Sequence, residues 1–167
     1  MVDAGPWNLT DEESLVECYD QSIRDVYRAA SRLTGGDRAR ADDLVQDVYL
    51  SLVRSVRAGG ATEIGLGWLL TSVRHRYFDR LRSEERDDRR LTLVWSAPVE
   101  PLEAVESVES VDLSGLPERE RVALVLRYLD DLPVADVASL MGQSVHATES
   151  LLARARRRVR AQEVRDA

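Results

Sequence analysis

LPVADVASLMGQSVHATESLLARARRRVR, which spans residues 132–160, has the pattern of two helices joined by a tight turn. Pro133 suits the first position of a helix, and Gly142 would end that helix. Ser144 can then cap a second helix with its own apolar side. The apolar positions are Val134, Val137, Ala138 and Met141 in the first helix and Thr148, Leu152, Ala155 and Val159 in the second. This arrangement predicts a helix-turn-helix, in which the second helix reads the major groove of DNA.

Arginines are concentrated at the end of the second of these helices. They occupy positions 154, 156, 157, 158 and 160. Such a cluster supplies the positive charge that phosphate contacts require. The alternative interpretation is an amphipathic terminal helix with a solvated basic face. Because the turn residues and both helical periods agree, the pattern favours the DNA-reading motif.

The composition indicates an all-α fold. The chain has 167 residues, of which 44% are apolar and only 5% aromatic, so its cores must consist mainly of Leu, Val and Ala. This length suits one ordinary domain or two small ones. Runs of β-branched and aromatic residues with a period of two are too short to predict strands, whereas helical spacings recur from end to end.

The net charge of −7 is unevenly distributed. Residues 1–23 and residues 91–118 each contain six acidic residues and no basic one. The remaining segments are close to neutral or basic. Because DNA responds to charge within a Debye length of about 10 Å at ordinary salt, an acidic chain can still bind DNA through its arginine-rich parts.

Residues for catalysis or metal binding are scarce. Cys18 is the only cysteine, which excludes an intramolecular disulfide and a zinc site built on several cysteines. His75 and His146 are far apart in the sequence, and neither a glycine-rich phosphate loop nor metal-ligand spacing is present. We therefore expect a protein that is not an enzyme and has no metal, cofactor or small-molecule substrate. Without a signal segment or an apolar run of about 20 residues, we expect it to be cytoplasmic and not membrane-inserted.

Three helices are predicted in the first 90 residues. Thr10-Asp11-Glu12-Glu13 has the pattern of a capping box that opens the first helix, and Gly35-Gly36 would end it. The second runs from about residue 37 to 57, and the third, capped by Thr62, runs from about residue 63 past residue 82. The apolar sides of the three helices are Leu15, Cys18, Ile23, Val26, Ala30 and Leu33; Leu44, Val48, Leu52 and Val56; and Leu69, Val73, Tyr77 and Leu81.

A change of composition at residues 91–112 predicts a domain boundary. This segment has two prolines, regularly spaced acidic residues and no basic residue, as in a flexible exposed linker. Trp95 is the exception, since an aromatic side chain in a linker often docks. Beyond it, Leu116-Pro117-Glu118 begins a helix that leads into the helix-turn-helix.

These boundaries predict two small helical domains. We expect the following order along the chain: an acidic tail at 1–14, a helical domain at 15–90, a flexible acidic linker at 91–112, a helix-turn-helix domain at 113–160 and a C-terminal tail at 161–167.

Two helices of the first domain have faces that need an explanation. DDLVQDVYL, residues 42–50, combines an apolar stripe with an acidic, amide-bearing face, which is either a binding surface or an ordinary solvated one. WLLTSVRHRYFDRLR, residues 68–82, interleaves arginines with Trp68, Tyr77 and Phe78. Alternating rings and guanidinium groups suit single-stranded nucleic acid, because bases stack on the rings. The alternative is a helix whose aromatic residues are simply buried.

Together these segments resemble the extracytoplasmic-function group of bacterial sigma factors, the initiation subunits of RNA polymerase. DLVQDVYL is similar to the family's DLVQETFL helix, and WLLTSVRHRYFDRLR to its WLxxIARNRxIDxxR helix. LSGLPERERVALVLRYLDDLPVADVASLMG followed by RARRRVR is similar to its C-terminal domain. The resemblance covers residues 20 to 160. Three motifs in this order and at this spacing are a strong indication of the family.

The resemblance implies a protein that binds core RNA polymerase, recognises promoter DNA, melts the minus-ten element and directs transcription initiation. It also implies an anti-sigma partner that masks these surfaces. The residues implied in docking on the clamp helices of the largest polymerase subunit are Asp43, Gln46 and Asp47. Those implied at the minus-ten element, where bases are flipped out of the duplex, are Trp68, Arg74, His75, Arg76, Arg80 and Arg82. Those implied at the minus-thirty-five element are Ser144, His146, Ala147, Glu149, Ser150, Ala153, Arg154, Arg157 and Arg158.

Three positions depart from the family pattern. Glu149 and Leu151 stand where the family commonly has a basic residue, which weakens the positive face at its reading end. His75 replaces the usual Asn of the minus-ten helix. Glu149 could accept a hydrogen bond from cytosine N4, or it could be solvated and repel phosphate.

Two other functions remain compatible with the residues. The chain could be a stand-alone helix-turn-helix regulator whose first domain is an interaction module. It could also be a polymerase-binding adaptor that reads DNA poorly because of Glu149 and Leu151.

Overall fold

The computed structural model describes residues 6–59, 63–88, 113 and 115–166, with side chains described as far as residue 84 in the first part and residue 162 in the second. The elements are β1 (Trp7–Asn8), α1 (Glu12–Thr34), α2 (Arg38–Arg57), β2 (Glu63–Ile64), α3 (Leu66–Asp88), α4 (Glu118–Leu124), a π-helical turn (Val125–Leu129), α5 (Val134–Met141) and α6 (Val145–Asp166). They form two compact units that divide after Glu84. The all-α prediction is confirmed, since both strands are only two residues long.

Helix α1 begins one residue later than the capping box predicted from Thr10. Asp11 is the N-cap, and its carboxylate accepts a hydrogen bond from the Ser14 amide at 2.8 Å. The Ser14 hydroxyl in turn accepts one from the Asp11 amide at 3.1 Å. The hydrogen bond from the Ser14 amide lowers the pKa of the Asp11 carboxyl. At the other end, Gly35 adopts a left-handed conformation with φ 69°, which ends the helix as predicted.

The core of the first unit lies between α1, α2 and α3. Along α1 the buried side chains include Val26, Ala30 and Leu33, as the helical spacing predicted. The second and third helices contribute Leu44, Val48, Leu52, Leu69, Val73, Tyr77, Phe78 and Leu81. Helix α2 is capped by Asp37, whose carboxylate accepts a hydrogen bond from the Arg40 amide at 3.1 Å.

A short strand pair ties the start of the chain to the first unit, and the sequence did not predict it. Trp7 pairs with Ile64 in an antiparallel register, and the Trp7 indole donates a hydrogen bond to the Gln21 side chain at 2.9 Å. Trp7 and Leu9 are 7% and 1% exposed. The prediction that residues 1–14 form a tail is therefore wrong for residues 7–9. The third helix begins at Leu66, after this strand.

The second unit contains the predicted helix-turn-helix. Helix α5 follows Pro133, ends at Gly142 with φ 63°, and is followed by α6, where the Ser144 hydroxyl accepts a hydrogen bond from the Ala147 amide at 3.1 Å. The apolar positions predicted for α6 are buried: Thr148, Leu152, Ala155 and Val159. A feature that the periodicity did not reveal is the π-helical turn after α4, where the Asp130 amide bonds to the Val125 carbonyl at 3.0 Å.

Residues 161–166 continue α6, so the predicted C-terminal tail is helical up to Asp166. The predicted linker at 91–112 with Trp95, and the predicted cap Thr62, lie outside the described residues. None of the helices in the described part of the chain combines the length and apolar character needed to span a bilayer.

Candidate nucleic-acid and partner-binding surfaces

Helix α2 presents an acidic face with an apolar residue on it. Asp43, Gln46 and Asp47 lie within one turn of each other, and the Asp43 and Asp47 side chains are 68% and 42% exposed. Leu50, seven residues after Asp43 and therefore on the same face, is 44% exposed. We call these four residues the α2 face. Leu50 adds an apolar side chain to this acidic face, and the sequence motif did not single it out.

A row of polar contacts joins α3 to α2. Arg80 lies 2.5 Å from the Asp47 carboxylate and 3.9 Å from that of Asp43. One turn away on α3, the Arg76 guanidinium donates to the Ser51 hydroxyl at 2.8 Å. The predicted minus-ten residues Arg76 and Arg80 therefore point toward α2, and Arg80 is ion-paired with two residues predicted to bind polymerase.

The outer face of α3 carries different residues. Trp68 is 38% exposed, and His75, seven residues further on, is also exposed. Arg82 follows on the same face and pairs with Asp79 at 2.8 Å, while Arg74 is half-buried. Trp68 is thus a partly exposed aromatic ring on this face of α3.

Tyr77 and Phe78 belong to the core instead. They are 3% and 2% exposed and pack edge to face with ring centroids 5.5 Å apart. Their role as stacking platforms, one of the two interpretations of the 68–82 pattern, is therefore wrong. The alternative of buried aromatic residues holds for both.

One side of α6 is available to a ligand of the second unit. At about 100° per residue, its members fall within an arc of about 100°. They are His146, Ala147, Ser150, Arg154 and Arg157. We call this set the α6 face. Glu149 is exposed but lies about 100° around the helix from Ser150, at the margin of the face.

Two residues of the predicted minus-thirty-five helix are not on its surface. Ala153 is 4% exposed, so the prediction that its side chain contacts bases is wrong. Leu151 is 5% exposed and packs within the unit. Leucine stands here where the family commonly has a basic residue, but its side chain fills the core. The difference therefore does not change a residue that could contact bases. Ser144 caps the helix and is exposed just before its first turn.

The arginines of α6 divide between internal and external roles. The Arg156 guanidinium donates to the Tyr128 hydroxyl at 2.8 Å. Arg158 lies 3.3 Å from the carboxylate of Glu120, whose side chain is 6% exposed. A buried carboxylate requires such a partner, because desolvation of an unpaired charge is costly. Arg154 and Arg157 remain on the α6 face, which leaves less charge for DNA than the arginine run suggested.

Comparison with known proteins accounts for both units. The sigma-70 region 2 family matches residues 18–87, and the sigma-70 region 4 family matches residues 113–159. The chain belongs to the sigma-70 family. Its type is the extracytoplasmic-function sigma factor, and this family binds core RNA polymerase and promoter DNA in transcription initiation.

Relatives of this sigma factor come from several bacteria. It is 29% identical over 152 residues to the extracytoplasmic-function sigma factor SigM of Bacillus subtilis, covering 87% of this chain and 92% of that protein. It is 28% identical over 152 residues to SigK of Mycolicibacterium vanbaalenii, covering 84% and 76% respectively. The fold is also similar to that of the sigma factor RpoE in its complex with the anti-sigma factor NepR from Bartonella quintana, with a TM-score of 0.50 and 20% identity over 89% of this chain and 96% of that one.

A concave surface lies between the start of α1 and the end of α2. This apolar groove of about 580 Å³ is lined partly by Leu15, Val16, Tyr19, Tyr49 and Val53. Burial raises the pKa of Tyr49 to about 12, and its ring packs against Tyr19 with centroids 4.8 Å apart. Among the described residues, no group of acidic residues, histidines and cysteines could hold a metal ion.

Proposed function

We propose that this sigma factor docks on core polymerase through the α2 face and contacts promoter DNA through α3 and α6. The observation that carries the proposal is the α2 face itself, where three polar residues and Leu50 lie exposed together on the helix that the family resemblance assigns to the polymerase clamp. Residues 15–90 would form the polymerase and minus-ten domain. Residues 113–160 would form the minus-thirty-five domain.

At the minus-ten element, Trp68 and His75 are the residues placed to meet an extruded base. Base flipping costs a few kcal/mol, and stacking on an aromatic ring returns about 1–3 kcal/mol per base. Trp68 can supply this stacking because its ring is partly exposed on the outer face of α3. His75, about two turns further along the same face, would contribute to which base is preferred, and Arg74 and Arg82 would add positive charge near the strand.

At the minus-thirty-five element, the α6 face would enter the major groove. His146, Ala147 and Ser150 would lie closest to base edges, with Arg154 and Arg157 near phosphates. Binding through the two arginines of the α6 face would be weak and sensitive to salt, because affinity for DNA depends on the number of phosphates neutralised. We infer that useful affinity requires polymerase, which holds both DNA-binding domains on one promoter.

Regulation by an anti-sigma protein fits the same surfaces. The proposal is supported by RpoE, which is seen in complex with the anti-sigma factor NepR. We propose that such a partner covers the α2 face or the DNA-binding faces. The sigma factor would act in the cytoplasm, where polymerase and chromosome meet, as a binding protein without catalytic activity of its own. Purification of the chain from its native cells without any such partner would contradict this part of the proposal.

A titration on labelled promoter duplex tests the main proposal. Free protein, core polymerase and the mixture are each added to genomic promoter fragments at several salt concentrations. We expect specific binding by the mixture alone. Tight specific binding by the free protein would instead favour a stand-alone regulator, and failure of the protein to bind core polymerase would refute the proposal.

A further inference from the structure

Arg80 has the geometry of a residue that organises the α2 face. Its Nη2 atom lies 2.5 Å from Oδ2 of Asp47 and 3.3 Å from the backbone carbonyl oxygen of Asp43. Its Nη1 atom lies 3.9 Å from Oδ2 of Asp43. One planar guanidinium thus reaches three acceptors over one turn of α2. Lysine could not make this set of contacts in the same way, because its ammonium group is a single point.

The Arg80 guanidinium lies between two carboxylates that repel each other. Asp43 and Asp47 are four residues apart on a helix, where like charges repel each other. Arg80 offsets that repulsion and restricts the rotamers of both side chains. The contacts involve Oδ2 of each carboxylate, and the side chains remain 68% and 42% exposed, so a partner can still reach them.

The same contacts withdraw Arg80 from DNA. Its side chain is 37% exposed, and the guanidinium faces α2. Trp68 and His75 lie about 120° and 140° away from it around the axis of α3. An arginine that neutralises two carboxylates adds little field at a phosphate. Its neighbours along the row, Arg76 with Ser51 and Arg40 with Glu84 at 3.5 Å, hold α3 against α2 in the same antiparallel order.

We propose that Arg80 is a positioning residue of the polymerase-docking surface and makes no contact with minus-ten DNA. It presets the Asp43 and Asp47 carboxylates for cationic side chains of the partner, which lowers the ordering cost of binding. This inference rests on the proposed docking role of the α2 face. It assigns to polymerase binding a residue that the family resemblance assigned to DNA.

The test measures the affinity of the full-length protein for core RNA polymerase by fluorescence anisotropy. We expect Arg80→Ala to weaken binding about fivefold and Asp47→Asn about tenfold, with the double variant within about twofold of Asp47→Asn, because contacting residues are coupled. Arg80→Lys should recover part of the loss. Arg28→Ala, which removes an exposed arginine paired with Asp25 on α1, is the matched control and should bind like the natural protein.

A second measurement distinguishes a positioning role of Arg80 from direct contact of Arg80 with DNA. The salt dependence of promoter binding is measured with holoenzyme assembled at saturating sigma factor. Loss of one phosphate contact on the melted minus-ten strand reduces the magnitude of the slope of log K against log salt concentration by about 0.7. We expect Arg80→Ala to leave this slope unchanged. A lower slope with normal polymerase affinity would overturn the inference, as would losses from Arg80→Ala and Asp47→Asn that multiply independently.

The outcomes also distinguish the inference from the function on which it rests. If the natural protein binds polymerase and Arg80→Ala binds equally well, the positioning role is refuted and the proposed function stands. If the natural protein does not bind polymerase, both are refuted. Circular dichroism of each variant establishes that it is folded, and Arg80→Lys repeats the comparison with the charge retained.

Discussion

The α2–α3 surface of the first unit and α6 of the second use arginine in different ways. On the first surface, Arg76 and Arg80 turn toward the neighbouring helix, and Arg80 lies against carboxylates that are themselves exposed. On α6, the arginines that turn inward meet the deeply buried Glu120 or the Tyr128 hydroxyl, while Arg154 and Arg157 stay outside. The number of arginines in a sequence motif therefore does not equal the number of positive charges that can contact DNA. The position of each guanidinium relative to the core decides whether it contacts protein or phosphate.

The largest expected effect distinguishes the buried Phe78 from the partly exposed Trp68 on α3. Phe78→Ala should lower the free energy of unfolding of the first unit by about 3–5 kcal/mol, because it empties a buried ring site. Trp68→Ala should lower it less, because Trp68 is 38% exposed, but should reduce promoter opening by holoenzyme. Urea unfolding and permanganate footprinting measure these two effects. Equal stability losses would show that Trp68 is a core residue as well.

The next effect tests the division of arginines on α6. The slope of log K against log salt concentration measures the phosphate contacts made at the minus-thirty-five element. The double variant Arg154→Ala with Arg157→Ala should reduce its magnitude by about 2, since each lost phosphate contact contributes about 0.9. The double variant Arg156→Ala with Arg158→Ala removes the same charge and is the matched control. Its slope should change little. If both pairs lower the slope equally, the inward contacts do not persist on DNA.

A smaller effect concerns stability in the same helix. Arg158→Ala should destabilise the second unit by about 1–2 kcal/mol, because it leaves the buried Glu120 carboxylate without its partner. The exposed half of Arg158 keeps this value below that of a fully buried pair. Combining it with Glu120→Gln should restore part of the loss. Thermal unfolding of the three variants measures this, and a fully stable Arg158→Ala protein would show that the pair is not needed.

The smallest effect concerns Glu149. Its place at the margin of the α6 face favours a solvated carboxylate that repels phosphate, so Glu149→Gln should strengthen minus-thirty-five binding about twofold to threefold. Binding is compared on promoters that differ at each position of the element. Weaker binding confined to one cytosine position would instead support direct recognition of cytosine N4.

Local signals in the sequence were sufficient for most of the fold. Helix stops at Gly35 and Gly142, the cap at Ser144 and the apolar spacing of α6 all depend on residues within a few positions of each other. The start of α1 shifted by one residue because Asp11 caps a helix better than Thr10. Base-contacting, minus-ten and polymerase-docking roles remain predictions at the level of single residues.

Features that depend on distant partners could not be predicted. The strand pair joins Trp7 to Ile64 across the whole of α1 and α2, and two-residue strands leave no periodicity. The burial of Ala153 depends on packing within the folded second unit. The sequence shows an arginine at position 80 but not whether its side chain faces DNA or Asp47. The pairing with Asp47 depends on how α2 and α3 pack together.

Mapping of transcription start sites shows whether the chain directs polymerase to promoters through the α2 face. Core polymerase is incubated with genomic DNA, with and without the natural protein or the variant that combines Asp43→Asn with Asp47→Asn, and transcript 5′ ends are sequenced. We expect a new set of start sites with the natural protein, sharing sequence elements at two fixed upstream distances, and a weakened set with the variant. Start sites identical to those of core polymerase alone would contradict this expectation.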